Sequence, residues 1–334
     1  MNYQSANIPR VIVENVTSAI NGATKSTNIE IGGHRFAQEN FDNHVLQLVN
    51  NLYYNTNKVR YTFGIDVMYT RAHSRYGSEV NGRFHYNGLA AFENNQPYRY
   101  YREVPLVADP SVVGKTLNTG IYGQLQTKLS KGLELTAGLR LDYAHYPSSP
   151  LNHVVLDELG LRTDNKLKSF VVQPRFQFTL DVNEKHTDYI RFGAGIFASD
   201  INNYITINNL VFDGKHSATV DVRAPNLPVP DFAGYREDPT SSPTLPAFQL
   251  PTINTNSTDA QVPVMYKANL SYSHYFTPKL KIGITGIAKL GLQNYMYVDR
   301  NIAAQQFFSL DNEDNRGVYV PLSTMFGQRR RRLA

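Results

Sequence analysis

The sequence predicts an all-β protein, an antiparallel transmembrane β-barrel segment of about eight strands in four hairpins with short periplasmic turns and long extracellular loops. Three observations predict it. Apolar and polar residues alternate with period two over long stretches, the period of a strand with two different faces. These stretches come in pairs joined by about three to five residues. Between the pairs the connections are far longer, and that alternation of short and long connectors on long strands belongs to a membrane barrel rather than to a soluble sandwich, whose strands run to about 5–6 residues.

The first pair runs from Leu46 to Tyr54 and, after Asn55 to Lys58, through Val59, Tyr61, Phe63, Ile65, Val67 and Tyr69, with Arg60, Thr62, Gly64 and Asp66 facing the other way. A second pair places Ile121, Gly123, Leu125 and Leu129 opposite Tyr122, Gln124 and Gln126. It turns at Ser130-Lys131-Gly132 and returns with Leu133, Leu135, Ala137, Leu139, Leu141 and Tyr143. In the third, Val172, Phe176, Phe178 and Leu180 precede a turn at Asn183 to Thr187, then Ile190, Phe192, Ala194 and Ile196. The fourth carries Tyr266, Ala268, Leu270 and Tyr272, turns at Thr277-Pro278-Lys279, and continues through Leu280, Ile282, Ile284, Ala288 and Leu290. The chain is accordingly read as one partial barrel domain, 1–334, with hairpins at roughly 44–69, 119–143, 170–198 and 262–290 and outer loops at roughly 70–118, 144–169, 199–261 and 291–334. Tyr54, Tyr69, Tyr143, Tyr146, Tyr272, Tyr275 and Phe276 fall near strand ends, where amphipathic rings sit at the headgroup level. The proline-rich stretch 223–263 reads as a surface loop rather than a core element.

Composition narrows the function classes. No run of about 18 apolar residues exists to form a membrane helix, whereas a barrel strand needs only about 9–11 alternating ones. The net charge of +5 owes four charges to Arg329–Arg332, so the remainder, about +1, does not suggest a nucleic-acid partner. With no cysteine there is neither a disulfide framework nor a thiol nucleophile. Met1 to Arg10 lacks a basic run followed by an apolar core and does not read as a secretory leader. No nucleophile elbow, zinc-protease helix or phosphate loop occurs, and the nine histidines are scattered, so no enzyme activity, metal or cofactor is expected.

Binding is the remaining chemistry. Arg60, Asp66, Arg140, Asp142, Arg175, Arg191 and Lys267 lie on the polar face, where a plug or polar ligand would pair with them. Tyr98, Arg99, Tyr100, Tyr101 and Arg102 form an aromatic and basic cluster in an expected outer loop, suited to stacking on a sugar or gripping a peptide, or to packing the loop upon itself. Asp311 to Asn315 alternates oxygens as a calcium loop does, but Arg316 stands where such a loop needs glycine, so it reads as a solvated acidic loop. Arg329–Arg332 reads as an unstructured tail.

The run Gly120-Ile121-Tyr122-Gly123-Gln124-Leu125-Gln126, followed by Leu133 to Tyr143 with its Gly138-Leu139-Arg140-Leu141-Asp142, resembles the barrel of TonB-dependent outer-membrane receptors. Gln173-Pro174-Arg175-Phe176, Arg191 to Phe197 and Asn202-Asn203-Tyr204 are similar to the Oar-like branch, known chiefly from Bacteroidota. The resemblance covers most of 28–320 and implies an outer-membrane location and a fragment of a transporter that passes a large polar ligand. It also implies contact with outer-membrane lipid, with a plug domain and, at full length, with the TonB energy-transducing complex. TonB box, plug and the terminal aromatic strand of that family are not read in this sequence. The alternative is a stand-alone or truncated outer-membrane β protein with a surface-binding or structural role and no transport.

Overall fold

The computed structural model describes residues 8–300 apart from 21, 37 and 299, together with two two-residue strands, Phe308–Ser309 and Gly317–Val318. In chain order the elements are β1 (Arg10–Ile20), β2 (Ala23–Gly32), β3 (Asn40–Asn55), β4 (Val59–Arg75), β5 (Arg83–Asn87), α1 (Leu89–Glu93), β6 (Arg99–Pro105), β7 (Ser111–Ser130) and β8 (Leu133–His145). There follow α2 (His153–Leu159), β9 (Lys168–Asp181), β10 (Asp188–Ala198), α3 (Asn203–Val211), β11 (Asp213–Arg223), α4 (Phe232–Glu237), β12 (Leu250–Ile253), β13 (Val264–Thr277) and β14 (Leu280–Gln293).

Eight of these strands form one antiparallel sheet in the order β14-β13-β10-β9-β8-β7-β4-β3. They are the four hairpins expected from the alternation. Register carries one apolar face across the sheet: Leu52 opposes Phe63, Phe63 opposes Gly123, Gly123 opposes Leu139 and Leu139 opposes Pro174. On the other side Phe192 opposes Leu270 and Tyr272 opposes Ile284. Because side chains alternate strictly, a slip of one residue in any pair would move a whole apolar set to the polar face. From Leu133 to Tyr143 the outward face of β8 covers roughly 34 Å along the strand, or roughly 26 Å at a tilt of about 40°, which matches the apolar band about 25 Å tall of a membrane barrel. The sheet is open: among the described residues β3 and β14 each pair on one side only.

The short turns lie at one end of this sheet and the long connections at the other, and there the expectation of loops needs correction. Segments 76–110 and 199–263, together with the N-terminal hairpin, build a second sheet of six strands in the order β12-β11-β6-β5-β1-β2, parallel only between β1 and β5. Its core is of the soluble kind. Val11, Val13, Phe84, Tyr86, Tyr100, Val104, Val220, Val222 and Tyr235 are buried together, and Phe84 meets the Tyr100 ring at 4.6 Å and the Phe232 ring at 5.7 Å between centroids. Tyr235 and the buried Val262 and Ser242 come from the proline-rich stretch, so part of that segment is core after all. Tyr146 is also corrected: it is fully buried and its hydroxyl accepts from the Ile201 amide, so it is no membrane-interface ring. Tyr275 stands edge-on to Tyr189 instead, while Tyr54, Tyr143, Tyr272 and Phe276 are exposed toward the strand ends and Tyr69 is exposed within β4, which runs on to Arg75.

Helix α3 joins the two sheets. Asn202 caps it by accepting from the Tyr204 amide, and Ile207, Leu210 and Val211 pack on Ala72 of β4 and Val112 of β7. Ala72 and Val112 lie on the polar face, so the helix crosses that face at its loop end and leaves the rows below it open.

Candidate functional site

Those open rows hold the polar residues singled out by the sequence. Arg140 on β8 donates from Nε to Asp142 Oδ1 at 2.7 Å and from Nη2 to Asp66 Oδ2 of β4 at 3.4 Å. Asp66 is shared with Gln47 of β3, whose Nε2 donates at 2.9 Å, and Asp142 with Gln173 of β9, whose amide donates to Oδ2. Gln173 in turn accepts from the Ala198 amide of β10 at 3.0 Å. One arginine, two carboxylates and two glutamines thus link β3, β4, β8, β9 and β10 across the intervening β7. Gly120 on β7 makes room for this: a Cβ there would sit 2.3 Å from Arg140 Nη2 and 2.4 Å from Asp142 Oδ1. Tyr122 supports the guanidinium from below at 5.5 Å to the ring centroid.

A hollow of about 460 Å³ opens above the network and is closed at its loop end by Asp200 and Val262. Asp200, in the connection before α3, has its carboxyl pushed up by burial and by the nearby Asp142. The site therefore offers fixed donors and acceptors of both signs around an open space that can grip a polar group. Among the described residues no group of three or more histidine or carboxylate side chains is placed to hold a metal ion.

Arg175 and Arg191 lie on the same face but outside this network. The Arg175 guanidinium stands 5.0 Å over the Phe197 ring and that of Arg191 5.2 Å over Tyr189, with Arg191 Nη1 donating to Ser273 Oγ at 3.3 Å. Lys267 approaches Phe197 from β13 at 5.2 Å. Arg60, at the short-turn end, stands 5.3 Å over Tyr53.

The cluster from Tyr98 to Arg102 is placed differently from the loop expected of it. Arg99, Tyr100, Tyr101 and Arg102 are strand residues of β6, hydrogen-bonded between β5 and β11. Tyr98 donates to Glu14 at 2.8 Å, Arg99 makes a two-pronged pair with Asp221 at 2.7 Å, Tyr100 is buried and donates to the Pro243 carbonyl at 2.8 Å, and Tyr101 donates to Glu103 at 3.0 Å. Arg102 is buried too, donating to the backbone carbonyls of Val80 and Ser242. All five side chains thus bond to the second sheet and the segments packed beside it. The sequence missed Glu79, buried among Arg10 at 2.5 Å, Arg83 at 2.8 Å and Arg35 at 4.0 Å. Arg83, four residues on, is a local partner, but Arg10 and Arg35 come from distant segments that the local pattern does not bring together. The stretches 311–316 and 329–332 lie outside the described residues.

Eight apolar-faced strands, a polar opposite face and one-sided long connections agree with what comparison finds: the family of outer membrane beta barrel domains matches residues 2–332. The chain belongs to that family. As an outer-membrane β-barrel domain it turns the apolar face of its eight-stranded sheet to lipid and lives in the outer membrane. Its helices do not span: none among the described residues is long and apolar enough to cross a membrane. Solved structures similar to the domain include the outer membrane transporter YddB from Escherichia coli, at 11% identity and TM-score 0.41, over 79% of this chain and 28% of that one. The copper transporter OprC matches at 12% identity and TM-score 0.36, over 76% of this chain and 38% of that one. The domain thus spans well under half the length of either. No curated protein matches it.

Proposed function

We propose that this domain is part of the wall of an outer-membrane transporter of the TonB-dependent type, Oar-like in its strand motifs, and that its polar face lines the interior through which a large polar ligand passes. The observation that carries the reading is the division of one sheet into an apolar face continuous over eight strands and an opposite face bearing Arg140, Asp142, Asp66, Arg175 and Arg191. A polar network of that kind has no place against lipid and suits a lumen holding water or a plug. The edges at β3 and β14 support the further reading that more strands complete the wall, since unpaired backbone groups are not tolerated in hydrocarbon. In the complete protein a plug domain would contact Arg140, Asp142, Arg175 and Arg191, and the TonB complex would supply the energy. The Tyr98–Arg102 segment then serves as scaffold for the extracellular cap.

The absence of cysteine makes the test direct. Single cysteines placed at Leu139 and Ile284 should react in the membrane-inserted protein only with lipid-soluble maleimides, and cysteines at Gln124 and Thr136 with water-soluble ones. The reverse pattern, or water access to both faces, overturns the reading.

A further inference from the structure

The polar face carries a second hollow of about 480 Å³ across β7, β8, β9, β10, β13 and β14, which meets the Arg140 hollow at Arg175 and Phe197. Arg175, Lys267 and Lys289 line it, and no carboxylate does. The three cations share one cross-strand row: Arg175 opposes Gly195, Gly195 opposes Lys267, and Lys267 opposes Lys289. Gly195 keeps the row open, because a Cβ at that position would come within 2.8 Å of the Arg175 Cβ. Phe197 is reached by both Arg175 and Lys267, which fixes two of the charges against one ring. Whereas Arg140 has two carboxylate partners, none of these three cations makes an ion pair within 4.0 Å among the described residues. Gln177 and Asn269 add neutral amides at the rim.

Three like charges on one row of a sheet repel one another, and the row is stabilised by whatever negative charge enters between them. We infer that this hollow is a binding site for a small polyanion, a molecule with two or more carboxylate or phosphate groups spaced to bridge Arg175, Lys267 and Lys289. The inference rests on the reading of the polar face as a water-facing lumen. Arg175 supplies a planar two-pronged donor and the lysines compact charges, so one anionic group seats on the guanidinium and the next between the ammonium groups.

Pyrophosphate and tricarballylate are the probes, titrated calorimetrically into the full chain folded in detergent, with a neutral trisaccharide as control. Both anions should bind and the sugar should not. K267Q/K289Q should weaken binding at least ~10-fold, while K58Q/K279Q, which removes the same charge at the short turns, should change it less than ~2-fold. Heat-modifiable mobility on gels reports whether each variant is folded; if K267Q/K289Q fails to fold, the single variant K289Q, at the edge strand, serves in its place. Equal binding by the two double variants overturns the inference, as does an unmodified protein that binds neither anion. The cysteine pattern at Gln124 and Thr136 separates the two failures: water-accessible cysteines without anion binding leave the lumen reading standing, and inaccessible ones bring both down.

Discussion

The two sheets of this molecule use the same backbone pattern and opposite rules for what to bury. In the six-stranded sheet the large apolar side chains point inward, and Phe84 and Tyr100 have no exposed surface. In the eight-stranded sheet they point outward, with Ile284 74% and Leu46 71% exposed. A water-soluble chain gains stability by removing such surface from water, so an eight-strand apolar exterior only makes sense where lipid replaces water. The difference extends to charge. The cap buries Glu79 at the meeting point of three arginines, and a buried charge is tolerable only when so paired. The membrane sheet instead gathers its charges on its wet face, where partly exposed pairs such as Arg140 with Asp142 contribute modestly.

The comparison breaks first, if it is wrong, in the cap core. Phe84→Ala should cost about 3–5 kcal/mol, because the ring is enclosed by Tyr100, Phe232 and Tyr235 and its loss leaves a cavity. Glu79→Ala belongs in the same range of about 3–5 kcal/mol, since it leaves Arg83 largely buried without its carboxylate and Arg10 with Glu30 alone. Limited proteolysis at the connection 76–110 with rising urea measures both. A cap that resists cleavage equally in wild type and Phe84→Ala is not held by this core.

Next in size is the lipid face. Ile284→Arg should destabilise the membrane-inserted protein by about 2–4 kcal/mol, whereas Ile31→Arg on the exposed edge strand β2 should stay within about 0.5 kcal/mol. Both isoleucines are exposed in the bare chain, so only a different surrounding medium can separate them. Equal costs in a lipid-refolding titration would mean that the two sheets share one solvent.

These contrasts also explain what could be read from the sequence. Ile121 to Leu129 and Leu133 to Tyr143 show period two because each strand is long and keeps one face apolar and the other polar. The cap strands blur that signal. In β1, Val11, Ile12 and Val13 are all buried, and in β5 His85 is as enclosed as Phe84 and Tyr86 on either side of it. Apart from the N-terminal hairpin of β1 and β2, its pairing is long-range, β1 with β5 and β6 with β11, so no tight turn announces it. Arg140, Asp142, Arg175 and Arg191 were readable as polar-face residues from the alternation alone. That Asp66 and Gln173 complete the network around Arg140 depends on register between strands, which local pattern does not set. Tyr98 to Arg102 reads as a loop because aromatic and basic residues cluster there, yet the same composition makes a strand whose partners Glu14 and Asp221 come from elsewhere.

A smaller effect sharpens the wet side of the membrane sheet. Asp142→Asn keeps the shape at Arg140 and Gln173 and removes one of the two charges that hold the guanidinium. It should cost roughly 1 kcal/mol, given that both partners are partly exposed, and should leave cap proteolysis unchanged. A loss as large as that of Ile284→Arg would show that the network, and not lipid contact, holds these strands in place.

The smallest effect is one of pH, and its sign distinguishes the cap again. Burial holds the His85 imidazole below its ordinary value of 6.5, with the hydrogen bond to Glu14 opposing. The folded cap therefore binds a proton less readily than the unfolded chain, and the stability His85 contributes is complete above about pH 6.5 and declines as the pH falls through that value. Glu14, held below 4.5 chiefly by the hydrogen bond from His85, acts in the same direction at lower pH. Glu103, raised by burial, acts in the opposite one, its contribution being lost as the pH rises through its folded value. His85 is isolated by comparing variants: on acidification below about pH 6.5 the urea midpoint for cap cleavage should fall more in the wild type than in His85→Gln, which keeps a polar partner for Glu14. An unchanged slope in that variant would mean that the imidazole is not titrating against its burial, and the enclosure on both faces of β5 would then not restrict its charge.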